Sequence, residues 1–298
     1  MKQNKLKKFE LIHDYKDNDD LRKSFNELSK EIFGIDFELF YKSGAWNDRY
    51  VCYSYVYKGK VVSNVSINKL DMIINNKKVK ALQIGTVMTH SNFRGNGLAG
   101  KLTRYVLEKY EGLYQIIYLF ANKSVLNFYP KYGFKSLKQS QFTWDIDMEI
   151  SDNDNIKKLD VKNNQDLELI KRLAIERRAL SNIFSVENAQ HLLLFYCLYV
   201  FTESIYYIEE LDTIVIYEKS KGVIDIYDIV SPEAVDFERI VSIIATRNES
   251  KVIFHFTPTF KEIEIEKIPY DDSDDMLFVK SKKIYIPENI FQPITAHA

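Results

Sequence analysis

Residues 81–110 read ALQIGTVMTHSNFRGNGLAGKLTRYVLEKY, and this run combines a strand, a turn and a helix. Ala81 to Met88 is short, apolar and partly β-branched, as a buried strand should be. From Leu98 onward, Leu98, Leu102, Tyr105 and Val106 recur at helical spacing. Between them lies Arg94-Gly95-Asn96-Gly97-Leu98-Ala99-Gly100, which holds three of the chain's 10 glycines. Glycine allows a tight turn and a close approach to a ligand. Free N–H groups at a helix start, together with the helix dipole, favour an anion and most naturally a phosphate. The turn is therefore expected to cradle a phosphate or pyrophosphate.

Three nucleotide motifs compete for it. Gly95, Gly97 and Gly100 satisfy the dinucleotide pattern G-x-G-x-x-G, but Thr89 to Arg94 separate the strand from the first glycine. The next strand, Tyr114 to Phe120, ends in Ala121-Asn122 without the acid that binds a ribose. Gly95 to Lys101 nearly matches the nucleoside-triphosphate loop, yet Leu102 stands where a Ser or Thr must hold magnesium. The aspartate that completes that metal site is missing too. The third pattern, Arg/Gln-x-x-Gly-x-Gly/Ala, is met by Arg94, Gly97 and Ala99.

This third pattern resembles the acetyl-CoA pyrophosphate loop of the GCN5-related N-acetyltransferase (GNAT) superfamily. The run Val87 to Gly95 is especially similar to the tandem-domain branch that includes the enhanced-intracellular-survival aminoglycoside acetyltransferases. Asn122 after the next strand, and Phe128-Tyr129-Pro130-Lys131-Tyr132-Gly133-Phe134 beyond it, keep the superfamily's spacing. The resemblance implies an α/β (α+β) fold: a mixed, mostly antiparallel sheet flanked by helices.

The whole chain sets wider bounds. Its 298 residues suggest two domains. With 46% hydrophobic and 28% charged residues it reads as a globular protein able to bury a core. A net charge of −1 gives no sign of a nucleic-acid or acidic-membrane partner. The apolar run Leu192 to Phe201 is well short of the ~20 residues that span a bilayer. The charged N-terminus does not read as a secretory signal. Cys52 and Cys197 sit in apolar contexts and read as buried thiols, so a cytoplasmic location is expected.

Along the chain, Asp20 to Phe33 is expected to be a helix closed by Gly34, followed by a short helix at Phe37 to Tyr41. Strands are expected at Tyr50–Tyr57, Val61–Ile67, Leu70–Ile74 and Val79–Met88, the last two joined by a turn at Asn75 to Lys78. Ser124 to Tyr132 reads as a helix and Leu137 to Met148 as a strand region, giving the acyl-CoA-binding domain residues 1–150. The polar stretch 151–155 reads as a linker. Beyond it, helices at Leu167–Leu180, Ala189–Phe201 and Val235–Thr246 alternate with strands at Ser204–Ile208, Thr213–Tyr217, Val223–Val230, Val252–Phe256 and Met276–Lys280. That order repeats the first half and marks 151–298 as a degenerate GNAT-like domain. Ser231-Pro232-Glu233-Ala234 stands in place of its phosphate loop; with no glycine, and with Glu233, Asp225 and Asp228 near, this copy should not bind CoA.

By resemblance, Val87, Met88 and Thr89 splay from the neighbouring strand. Backbone groups of Val87 and Thr89 then receive the pantetheine arm, and an N–H near Val87 holds the thioester oxygen. Residues Gly95, Asn96, Gly97, Leu98, Ala99 and Gly100 take the pyrophosphate, with Arg94 adding charge. Asn122 contacts the CoA arm or caps the next helix. Tyr129 is the candidate general acid to the CoA thiolate. The five histidines show no metal spacing, and no metal is expected. Phe33, Phe37, Phe40, Tyr41 and Trp46, with Asp36, Glu38 and Asp48, form either an aromatic wall with carboxylates suited to a cationic amine or an ordinary core edge with an acidic rim. In the branch that the loop resembles, the C-terminal carboxylate acts in the active site. At 298 residues the sequence is shorter than that branch and is not expected to include its third domain, so Ala298 would serve only if the tail folds back. The expected function is transfer of an acetyl group from acetyl-CoA to a primary amine of a small molecule or peptide. The alternative is a non-catalytic acyl-CoA-binding regulatory or interaction protein.

Overall fold

The computed structural model describes residues 8–147, 156–259, 265–270 and 275–298. The expected linker at 151–155 lies outside them. The first half carries β1 (Glu10–His13), α1 (Asp19–Phe33), α2 (Glu38–Lys42), β2 (Tyr50–Tyr57), β3 (Lys60–Ile74), β4 (Lys77–Thr89), α3 (Leu98–Tyr110), β5 (Ile116–Ala121), β6 (Lys135–Ser136) and β7 (Gln139–Asp145). The second carries β8 (Ile156–Lys158), α4 (Asn164–Glu176), β9 (Phe184–Glu187), α5 (Gln190–Tyr199), β10 (Ile205–Ile208), β11 (Thr213–Ser220), β12 (Val223–Val230), α6 (Phe237–Ile244), β13 (Lys251–Phe254), β14 (Glu266–Tyr270) and β15 (Met276–Ser281).

Local chemistry accounts for most of these boundaries. Asn18 caps α1 by accepting from the Leu21 N–H, and Gly34, at φ 74°, ends it by donating to the Lys30 carbonyl. Phe25 and Leu28 bury the apolar stripe between. Among the expectations that differ from the structure, two lie in the first half. Val61–Ile67 and Leu70–Ile74 are one continuous strand, β3. The helix expected over Ser124 to Tyr132 is two short 3₁₀ turns, Lys123–Val125 and Tyr129–Tyr132. Pro130 has no N–H to give and biases Tyr129 away from a continuous helix.

The first sheet runs β1-β2-β3-β4-β5-β15-β6, with β9 also paired to β3, and the second runs β14-β7-β13-β12-β11-β10-β8. Read from β8, the second order matches the first strand for strand. In each, four strands pair antiparallel, the fourth pairs parallel with the fifth, and an inserted strand separates the fifth from the last. The inserted strand comes from the opposite half: β15 enters the first sheet between β5 and β6, and β7 enters the second between β13 and β14. The expected units 1–150 and 151–298 therefore interlock through exchanged strands. A joint core seals them, in which Phe37 of the first half stacks on Phe195 at 5.6 Å and the Phe40 N–H donates to the Tyr199 hydroxyl at 2.9 Å.

Candidate active site

The pairing of β4 with β5 stops at Ile84 opposite Leu119. Beyond it β4 bulges: Asn64 faces Met88 and Ser66 faces Gly85, so Thr86 and Val87 together oppose Val65. Thr86 takes φ 47°, a left-handed conformation that a β-branched residue adopts only under constraint. Two contacts hold it there. Asn64 donates to its carbonyl at 2.8 Å, and the Tyr50 hydroxyl lies 2.9 Å from its Oγ1. The bulge turns the end of β4 away from β5 and opens a wedge between them.

A cavity of about 690 Å³ fills that wedge, within the range typical of small-molecule sites. Val87, Met88, Thr89, Arg94, Ala99, Asn122 and Tyr129, all expected from the sequence, line it. Gly95, Asn96, Gly97, Leu98 and Gly100 form the turn and first helical residues at its edge. Gly95 and Gly97 take φ 77° and 70°, conformations open to glycine. Gly97 occupies the N-cap of α3 without a capping side chain, so no side chain occupies the N–H groups of the first turn. Leu98 instead points into the core, and Gly100 leaves room for the Tyr132 hydroxyl, which a Cβ would meet at 2.6 Å. Arg94 donates from Nε to the Thr89 carbonyl at 3.2 Å. Asn122 accepts from the Ser124 N–H at 3.0 Å and so caps the following turn while facing the cavity.

Tyr129 is buried against Phe128, Phe134 and Phe278, and its hydroxyl has no hydrogen-bond partner among the described residues. Burial, with the Tyr132 phenol nearby, pushes its pKa up to about 12, so it stays protonated at neutral pH. His90 is held elsewhere: its Nδ1 accepts from the Asn92 N–H at 3.1 Å and its Nε2 lies 3.5 Å from Glu31.

The equivalent loop of the second half is built differently. Asp236 caps α6 with its own carboxylate, accepting from the Arg239 N–H at 3.0 Å, so a side chain already occupies that helix start. Asp225 and Asp228 do not act there as free charges. Asp225 pairs with His255 at 2.8 Å, and Asp228, fully buried, takes two hydrogen bonds from Arg177 at 2.7 and 2.9 Å.

The structure adds groups that the sequence reading did not assemble: Gly85, Thr86, Phe120, Asp275, His297 and Ala298 also line the cavity. The C-terminal segment returns across both halves to reach it. Phe291 exchanges hydrogen bonds with Thr257, and Thr295 donates to Asp228 at 2.5 Å. The Gln83 amide, oriented to satisfy both ends, donates to the Ala296 carbonyl at 3.1 Å and accepts from the Ala298 N–H at 3.0 Å. His297 stacks on Phe120 at 3.7 Å, and its ring nitrogens face Asp275 and the Gln292 carbonyl, each at 3.3 Å. The signal for this was Gly85, a glycine inside a strand, which marks close approach by other atoms. Of the residues expected around the acceptor, Phe33, Phe37 and Phe40 line the cavity. Tyr41 instead lies against the Arg22 guanidinium, and Trp46 packs in the core.

Among the described residues, no helix is long and apolar enough to cross a membrane, and no group of three or more His, Cys, Asp or Glu side chains is placed to hold a metal.

Residues 18–137 match the family model described as an acetyltransferase (GNAT) domain. Among solved structures, a protein of Enterococcus faecalis V583 described as a probable N-acyltransferase aligns with TM-score 0.59 at 14% identity, over 92% of this chain and 72% of its own. The GCN5-related N-acetyltransferase of Kribbella flavida aligns at 0.54 and 16% identity, over 92% and 72%. Eis1 of Mycobacterium abscessus aligns at 0.54 and 13% identity, over 87% and 70%. At these identities the likeness to the three is one of fold. No curated protein matches the sequence. Residues 18–137 thus match a GNAT acetyltransferase domain, a fold that supports acyl-CoA N-acyl transfer in general.

Proposed function

We propose that this chain moves an acetyl group from acetyl-CoA to the primary amine of a small molecule or peptide. One observation carries the reading: the wedge between β4 and β5 gathers the uncapped helix start of α3, a buried protonated phenol and the returning tail in one cavity.

The first-turn N–H groups of α3 and Arg94 would hold the pyrophosphate. The edge of β4 beyond Ile84, free of β5, would receive the pantetheine arm. Acetyl-CoA supplies the activated acyl group. The amine's lone pair forms the new C–N bond as the C–S bond breaks. The tail at Ala298 lies in the cavity beside Gly85 and positions the attacking amine, whose proton passes to water. Tyr129 donates its phenolic hydrogen to the departing sulfur, a charge-assisted bond that strengthens as the thiolate forms. His297, engaged through both ring nitrogens, holds the tail and is not the base.

On this reading residues 1–150 form the CoA-binding unit, and 151–298 a degenerate copy that does not bind CoA, because Asp236 fills its helix start. The copy instead contributes α5, Asp275 and the tail to the first unit's cavity. The two buried cysteines, neither in a disulfide, agree with a cytoplasmic location.

The test is release of free thiol from acetyl-CoA against a panel of amines, alongside thermal stabilisation by CoA alone. The protein's own thiols stay silent in such an assay: burial pushes Cys52 up to about 12 and raises Cys197 further. Amine-dependent thiol release with stabilisation by CoA supports the proposal; neither effect with any amine would overturn it.

A further inference from the structure

We propose that the acceptor is a monoamine on an apolar alkyl or aryl body, seated between α1–α2 and α5 with its amine toward Asp275 and Ala298. The inference rests on the acyl-transfer reading above and names the substrate class.

The wall facing away from the phosphate turn is built by Ile32, Ile35, Phe37, Phe40, Leu192 and Phe195. The acids nearest to it in sequence are spent elsewhere. Asp36 pairs with Lys30 at 2.6 Å, Glu38 with Arg22 at 3.2 Å, and Asp48 with Lys16 at 2.5 Å. None of the three lines the cavity; among the described residues its only side-chain carboxylate is Asp275, which already faces His297. This is charge enough to attract one ammonium group. A polycation would have to press its further charges against phenylalanine and isoleucine, at a high desolvation cost. An acceptor bearing its own carboxylate fares no better, since among the described residues the one Lys or Arg lining the cavity, Arg94, stands at the phosphate end. Phe33, 45% exposed at the rim, extends the apolar lining outward.

The rival occupant of the same wall is a long acyl chain on the donor, and matched substrates separate the two. With the full chain and saturating acetyl-CoA, kcat/KM should rise about fourfold per methylene from propylamine to hexylamine, as burial of each group predicts. Hexylamine should exceed its near-isostere 1,5-diaminopentane by on the order of a hundredfold, because the diamine buries a second charge. Phe195→Ala should flatten the chain-length series by raising KM for hexylamine more than for ethanolamine, with stabilisation by CoA unchanged. Should that variant fail to fold, the wild-type series decides alone. A flat series, a preference for diamines or aminoglycosides, or a rate that climbs instead with the donor's acyl length would each overturn this inference alone. Silence with every amine would overturn it together with the reading it rests on.

Discussion

Ala298 occupies the space that a side chain on Gly85 would need: a Cβ built on Gly85 would lie 2.8 Å from the Ala298 Cβ and 2.9 Å from its carbonyl carbon. The last residue of the chain and the middle of β4 are thus packed into contact, at the point where β4 leaves β5.

Gly85→Ala should therefore dislodge the tail without disturbing the phosphate turn. Misplacing the reactants by about 1 Å through a group that positions them can cost a hundredfold in rate. The expected result is a fall in kcat of that order, with stabilisation by CoA retained. A kcat within twofold of wild type would show that the position of Ala298 is immaterial to the chemistry.

Tyr129→Phe should lower kcat by about 10²-fold or more, the usual contribution of a positioned acid, while leaving CoA binding intact. The pH profile gives a second check. Because the phenol is held up to about 12, it stays protonated below that value and its loss begins only as the pH nears it. The wild-type kcat should then show no alkaline limb attributable to this group between pH 8 and 10. Full activity in the phenylalanine variant would remove Tyr129 from the mechanism.

Thr295 ties the tail to the second half through Asp228, whose charge Arg177 balances. Thr295→Val removes that one bond to a buried carboxylate and leaves the ion pair whole, so the stability loss should be about 1.5–3 kcal/mol. If the bond aims the tail, kcat falls, KM for acetyl-CoA does not change, and Thr295→Ser restores the rate. A purely structural role predicts lower thermal stability with unaltered kcat.

Much of the donor side was legible in residues 81–134, because phosphate binding by backbone is local chemistry. Glycines at 95 and 97 permit the positive φ angles of the turn, and Leu98 and Leu102 place α3 right behind it. The repeat of helix and strand order in the second half was legible for the same reason, as was its lack of a glycine turn. Charges were read less well. Asp228 looked like free negative charge beside a loop, but Arg177, 51 residues away in sequence, meets it as a partner. Asp36, Glu38 and Asp48 could be read either as a site for a cationic substrate or as an ordinary acidic rim, and the structure pairs them with lysine and arginine.

By itself, then, the sequence determined the strand–turn–helix of residues 81–110, the tyrosine downstream of it and the lack of a glycine turn in the second half, since each depends on neighbours within a few dozen residues. Only the tertiary structure decided that β7 and β15 change places between the sheets, that α5 lines the cavity and that residue 298 returns to Gly85. Those choices depend on which distant surfaces pack together. Hydrophobic periodicity marks a face for burial without naming the element that will cover it.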